Sequence, residues 1–133
     1  MNLDGVIVVD KADGWTSHDV VAKVRRIAGT KKIGHLGTLD PIATGVLPLV
    51  IGRATRLAQF YTRSDKIYEA TIRFGFSTTT YDRAGEPVGA VTEPRPDAED
   101  LERHLEKFRG EFLQAPPPVS AKQVDGVRAY WSR

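Results

Sequence analysis

Between Val20 and Ser64 the chain carries a single acid, Asp40, set in the stretch GHLGTLDPIATG at residues 34–45 and surrounded by Lys23, Arg25, Arg26, Lys31, Lys32, Arg53, Arg56 and Arg63. A lone carboxylate in a positive field stays ionised and is available as a nucleophile or a base. Gly34, Gly37 and Gly45 allow the backbone to approach a bulky planar ligand that side chains would hold off. The spacing fits neither GxxxxGK[ST] nor GxGxxG, so a nucleotide-cofactor loop is not indicated. One Asp and one His, His35, fall short of a metal ligand set. Taken out of context, Asp40-Pro41 reads first as a turn whose carboxylate caps the backbone.

The basic residues point to a partner. Lys23, Arg26, Lys31 and Lys32 belong to a cluster that concentrates positive charge in one third of a chain whose net charge is only +2. Clustered Lys and Arg gain affinity for a polyanion by releasing phosphate counterions. A solvated basic surface would have the same composition, and the two readings stand side by side at this point.

These side chains must be held by regular elements. GVIVVD at 5–10 is a β-branched run bounded by Gly5 and by KADG, and reads as a strand. Thr16 or Ser17 then caps a helix, with Asp19 spaced for a capping box on Thr16; Val20, Val21, Val24, Ile27 and Ala28 form its apolar face and Gly29 ends it. A loop, TKKIGHLGTLDPIATG, leads to VLPLVIG, a strand interrupted by Pro48, and a short helix starts near Arg53. KIYEATIRFGF alternates as a strand, DRAGEP is a turn and PVGAV a possible return strand. Asp97 opens a second helix with Leu101, Leu105 and Phe108 on one face, His104 beside it as a packing or surface residue, and Gly110 as its stop. QAPPP reads as an extended linker and Asp125-Gly126 as a two-residue hairpin turn. Strands and helices mix without βαβ repetition, so the expected fold class is α+β with a mixed, mainly antiparallel sheet and flanking helices.

With 133 residues, 41% hydrophobic and 27% charged, the chain is the size of one globular domain. It has no cysteine, which removes thiolate catalysis and cysteine-based zinc sites and fits a reducing cytoplasm. No apolar stretch approaches the roughly 20 residues needed to span a bilayer, and no secretory leader is evident. A cytoplasmic protein without a membrane partner, acting as a monomer, is expected.

GHLGTLDPIATGVLPLVIGRATRLAQFY resembles the bacterial TruB-type tRNA pseudouridine-55 synthases. The resemblance continues through GVIVVDKADGWTSHDVVAKVRRI before it and through SDKIYEATIRFGFSTTTYDRAGEPV and FRGEFLQAPPPVSAKQVDGVRAY after it, covering essentially all of residues 1–133. It implies the pseudouridine synthase fold, with Asp40 as catalytic carboxylate and Tyr68 as the tyrosine that stacks on the target base and serves in proton removal from C5. It further implies that His35 fills the space left in the RNA loop, that Lys11 is a motif lysine near the site and one of the RNA-binding residues, and that the partner is the T-arm stem-loop of tRNA. No metal or organic cofactor is implied, because the reaction is an isomerisation. The family's catalytic domain continues beyond this sequence through a strand bearing an arginine that pairs with the Asp, and often into a PUA domain. Residues 1–133 are therefore expected to be its N-terminal part. The chain departs from the family pattern at Ala12, where proline is usual, at Thr79, where an acid is common, and at Val119, where an aromatic residue is usual. A non-catalytic RNA-binding or tRNA-folding module, and an inactive fragment, remain as alternatives.

Overall fold

The computed structural model describes residues 3–61 and 64–114, together with the backbone of 123–124 and 127–128. It divides into two units, residues 1–68 and 69–133. In the first, β1 (Gly5–Lys11) leads to α1 (Ser17–Ala28), β2 (Ile33–His35) and β3 (Gly45–Ile51), and then to a 3-10 turn (Gly52–Leu57) running into the single-turn α2 (Ala58–Tyr61). The sheet order is β1-β3-β2, and both pairings are antiparallel.

Alternation along the strands sorts their side chains onto two faces. Leu47, Leu49 and Ile51 join Val20 and Val21 of α1 and Ile33 of β2 in one buried cluster, with Val9, Val24, Ala28 and Leu39 packed against it. Val46 and Pro48 therefore lie on the opposite face, as do Val6 and Val8 of β1, which are 51% and 66% exposed. Leu49 has no exposed surface, and truncating such a side chain to Ala costs about 2–5 kcal/mol. The helix α1 starts where expected: the Thr16 hydroxyl accepts from the Asp19 N–H at 3.0 Å while the Asp19 carboxylate accepts from the Thr16 N–H at 3.0 Å. The Thr16 hydroxyl and then its backbone N–H hold the Asp19 carboxyl below its ordinary value. Gly29 ends the helix in the left-handed region at φ 62°. Gly52 has φ 62° as well, and a Cβ there would lie 2.3 Å from the Leu3 carbonyl oxygen, so only glycine lets the chain leave β3 in this direction.

Three expectations about elements need correction. The stretch 30–45 is not all loop, because Ile33–His35 pairs with Ile51–Leu49 as an edge strand. Pro48 does not interrupt β3, which runs unbroken from Gly45 to Ile51 with Pro48 opposite Val8. Proline removes only its own donor, and the Pro48 carbonyl still accepts from the Leu36 N–H at 2.9 Å. KIYEATIRFGF does not form a strand: residues 66–76 have no ladder partner among the described residues, and 66–74 are exposed, since an alternating pattern becomes a strand only when another backbone pairs with it.

In the second unit, β4 (Ser77–Thr78) and β5 (Pro87–Val88) form an antiparallel hairpin. The DRAGEP turn between them is organised by Asp82, whose carboxylate accepts from the Thr80 hydroxyl at 2.5 Å and the Ala84 N–H at 2.9 Å. Thr79 sits in this hairpin, its hydroxyl accepting from the Glu86 N–H at 3.2 Å. Asp97 caps α3 (Ala98–Leu105) by accepting from the Asp100 N–H at 2.7 Å, and a 3-10 turn carries the chain to Phe108. β6 (Gln123–Val124) and β7 (Val127–Arg128) pair antiparallel. The Asp125-Gly126 turn, the prolines of QAPPP and Val119 lie outside the described residues. Helices beside antiparallel sheets bear out the α+β class; among the described residues every strand pair is antiparallel.

Candidate active site

Asp40 is exposed on the loop joining β2 to β3, and its backbone neighbours are fastened on both sides. Before it, the Ser17 hydroxyl accepts from the Leu39 N–H at 2.9 Å and donates to the Leu39 carbonyl at 3.2 Å. After it, the Pro41 carbonyl accepts from the Gly14 N–H at 2.9 Å and from the Lys11 ammonium at 3.1 Å. The Asp40 carbonyl itself accepts from the Ala43 N–H at 3.0 Å. An exposed loop residue has thus been given a fixed backbone, with its carboxylate left at the surface.

Lys11, expected among the RNA-binding residues, is buried in the protein. It is 1% exposed, and its ammonium also donates to the Trp15 carbonyl at 2.6 Å and to the Ala12 carbonyl at 3.0 Å. An ammonium has three N–H donors, and all three are directed at carbonyls of the protein. Lys11 therefore ties the β1–α1 turn to the Asp40 loop. Ala12, where the family pattern has proline, supplies one of the three acceptors.

A cavity of about 440 Å³ lies beside this loop within the first unit. Leu36, Gly37, Thr38, Leu39, Val46 and Pro48 line one part of it, and Tyr61, Ser64, Asp65, Lys66, Ile67 and Tyr68 another. Its walls are mainly apolar and aromatic with a few polar groups, the usual character of a small-molecule site. Tyr68, 61% exposed, is thus in the same cavity as Leu39, the residue bonded to Asp40. Lys66 also lines the cavity, although nothing in the sequence marked it; its Cε lies 3.2 Å from where a Gly37 Cβ would be, so the glycine leaves room for the lysine stem. The two residues are far apart in the chain, and no local spacing rule connects them.

The remaining expected residues divide. His35 ends β2 and is half-buried, with its Nδ1 buried and without a hydrogen-bond partner among the described residues. Lys23 and Arg26 are exposed on α1, which covers the sheet face opposite to Val46 and Pro48, and neither lines the cavity. The Lys23 ammonium stands 5.2 Å from the Trp15 ring centroid, a cation–π distance, and Arg26 borders a shallow depression with Trp15 and Asp19. Lys31 and Lys32 are exposed in the turn before β2. Two other members of the basic cluster serve the fold: Arg25 donates to the Ile33 carbonyl at 2.8 Å, and Arg53 pairs with Asp4 at 2.7 Å. The Arg53 backbone N–H and then its side chain hold the Asp4 carboxyl below its ordinary value. No group of three or more His, Cys, Asp or Glu side chains that could hold a metal ion occurs among the described residues.

Residues 25–132 match the family described as TruB family pseudouridylate synthase (N terminal domain). A protein named tRNA pseudouridine synthase B from Solibacter usitatus (strain Ellin6076) is 73% identical over 128 residues, covering 96% of this chain and 44% of that protein. One of the same name from Thermobifida fusca (strain YX) is 52% identical over 127 residues, covering 96% of this chain and 43% of that protein. The chain spans less than half the length of these curated relatives. Among solved structures, a chain of a Cbf5-Nop10-Gar1 complex is similar with a TM-score of 0.58 and 31% identity, covering 90% of this chain and 31% of that one.

Proposed function

The chain belongs to the TruB family of pseudouridylate synthases, and from that premise we propose that residues 1–133 are the N-terminal part of the catalytic domain of an enzyme that isomerises uridine 55 in the T-loop of tRNA. The observation that carries this reading is Asp40: a surface carboxylate whose backbone is held through Leu39 and Pro41, beside a cavity lined by Leu39 and Tyr68.

The reaction breaks the bond between N1 of the base and C1′ of the ribose and forms one between C5 and C1′. N1 gains a proton and C5 loses one, so atoms and electrons balance within the nucleotide and no redox partner or group donor is required. The Asp40 carboxylate attacks the nucleotide or removes a sugar proton while the glycosidic bond breaks. The freed uracil turns and rejoins through carbon, with Tyr68 stacked on it and assisting removal of the C5 proton. A target uridine in a folded loop has to be flipped out, at a cost of a few kcal/mol. Contacts from exposed Lys23, Arg26, Lys31 and Lys32 to phosphate offset part of that cost, and His35 fills the vacated space in the RNA loop. Lys11 acts through the protein, holding the Asp40 loop rather than the RNA. Among the described residues no helix is long and apolar enough to cross a membrane; a cytoplasmic, monomeric enzyme complete with the C-terminal half of its catalytic domain is the setting proposed.

Asp40→Asn in the protein from the complete reading frame tests the assignment. Turnover of a T-arm RNA stem-loop falls by roughly 10³-fold or more while RNA affinity persists. Near-normal turnover would mean that Asp40 is not catalytic and would favour a non-catalytic RNA-binding module.

A further inference from the structure

We propose that Ser17 is a positioning residue for Asp40, its buried hydroxyl setting the orientation of the peptide group from which the carboxylate side chain is carried. The proposal rests on the reading of Asp40 as the catalytic group.

Ser17 is the first residue of α1, one position after the N-cap at which a serine or threonine hydroxyl ordinarily caps a helix. Here that task belongs to Thr16 and Asp19. The Ser17 hydroxyl instead reaches 22 positions along the chain, accepting from the Leu39 N–H at 2.9 Å and donating to the Leu39 carbonyl at 3.2 Å. A hydroxyl has one donor and two acceptor sites, so this single group satisfies both backbone polar groups of Leu39. Ser17 is 2% exposed, so water is a poor substitute if the hydroxyl is removed.

The Leu39 carbonyl shares its peptide plane with the Asp40 N–H. Rotating that plane swings the Asp40 Cα and its carboxylate together, and the Ser17 bond opposes the rotation. Beyond Asp40 the loop is fixed by the bonds to the Asp40 and Pro41 carbonyls, so freeing Leu39 leaves the catalytic residue held on one side only. Displacing a reacting group by about 1 Å can cost roughly 10²-fold in rate.

The test is single-turnover kinetics on a T-arm RNA stem-loop with the protein from the complete reading frame. Ser17→Ala is expected to lower the maximal rate by about 10- to 100-fold with the Kd for RNA within about threefold of the unsubstituted protein. Val20→Ala, a core truncation in the same helix that removes no hydrogen bond to Leu39 or Asp40, controls for stability and keeps its maximal rate. If Ser17→Ala does not fold, Ser17→Cys, close in volume but a weak hydrogen-bonding group, is read in the same way. Without any substitution, the Leu39 amide is expected to exchange with solvent deuterium more slowly than the amide of exposed Thr38. A maximal rate within about threefold for the folded Ser17 variant, an equal loss in Val20→Ala, or a Leu39 amide that exchanges as fast as that of Thr38 would overturn the proposal. Asp40→Asn, run alongside, separates the two levels: activity in that variant refutes the catalytic assignment itself, whereas inactivity there with full activity in the Ser17 variant refutes only the positioning role.

Discussion

Replacing Lys11 by Met removes the ammonium while keeping an unbranched stem in a site that is 1% exposed. Three carbonyls lose a donor, but not equally. Pro41 keeps the Gly14 N–H at 2.9 Å, leaving Ala12 and Trp15 as the acceptors with most to lose, the latter from the shortest of the three bonds at 2.6 Å. A hydrogen bond involving a charged group contributes about 1.5–3 kcal/mol. Ala12 and Trp15 are exposed residues, so water recovers part of the loss, and the ammonium's own desolvation is relieved. The expected net destabilisation is about 2–3 kcal/mol. With a urea slope of about 2 kcal/mol/M this moves the unfolding midpoint down by roughly 1–1.5 M at unchanged slope. Lys11→Arg should not restore it, because the larger guanidinium has no room in so enclosed a site. The salt dependence of RNA binding should be the same for Lys11→Met and the unsubstituted protein. A loss below about 0.5 kcal/mol would refute the tie between Lys11 and the Asp40 loop, and a salt slope reduced by about one unit would put the ammonium on phosphate.

Neutralising Lys31 and Lys32 together should weaken binding to T-arm RNA and lower the slope of log K against log salt by about one unit for each phosphate no longer neutralised; an unchanged slope assigns both to a merely solvated surface. Asp19 gives a pH signature. Its folded carboxyl lies below its ordinary value because the Thr16 hydroxyl and backbone N–H donate to the ionised form, so its contribution to stability is complete above the unfolded-state value of about 3.9 and disappears as pH falls through the lower folded value. The difference in thermal midpoint between Asp19→Asn and the unsubstituted protein should therefore be largest above about pH 5 and narrow progressively as pH falls below about 4, and a pH-independent gap would show that the ionised capping box contributes nothing.

What the amino-acid order determined alone was whatever depends on neighbours within a few positions of one another. The Thr16–Asp19 box, the Asp97 cap and the Asp82 turn are closed by short-range bonds, and the Gly29 stop by one left-handed residue, so their residue types announce them. The isolation of Asp40 among basic residues was equally legible, because it is a property of composition along the chain. Tertiary structure decided the rest. Ile33–His35 is a strand only because β3 offers it a partner, whereas 66–76, with better alternation, has none among the described residues. Lys11 read as one more cation for RNA, yet the fold buries it against carbonyls up to 30 positions away. Ser17 read as one of two possible caps, and became the support of Leu39 only when α1 was laid beside the loop. In each case the deciding partner is distant in sequence, and a side chain of given type can meet several backbone acceptors; which it meets is set by how the helix packs on the sheet.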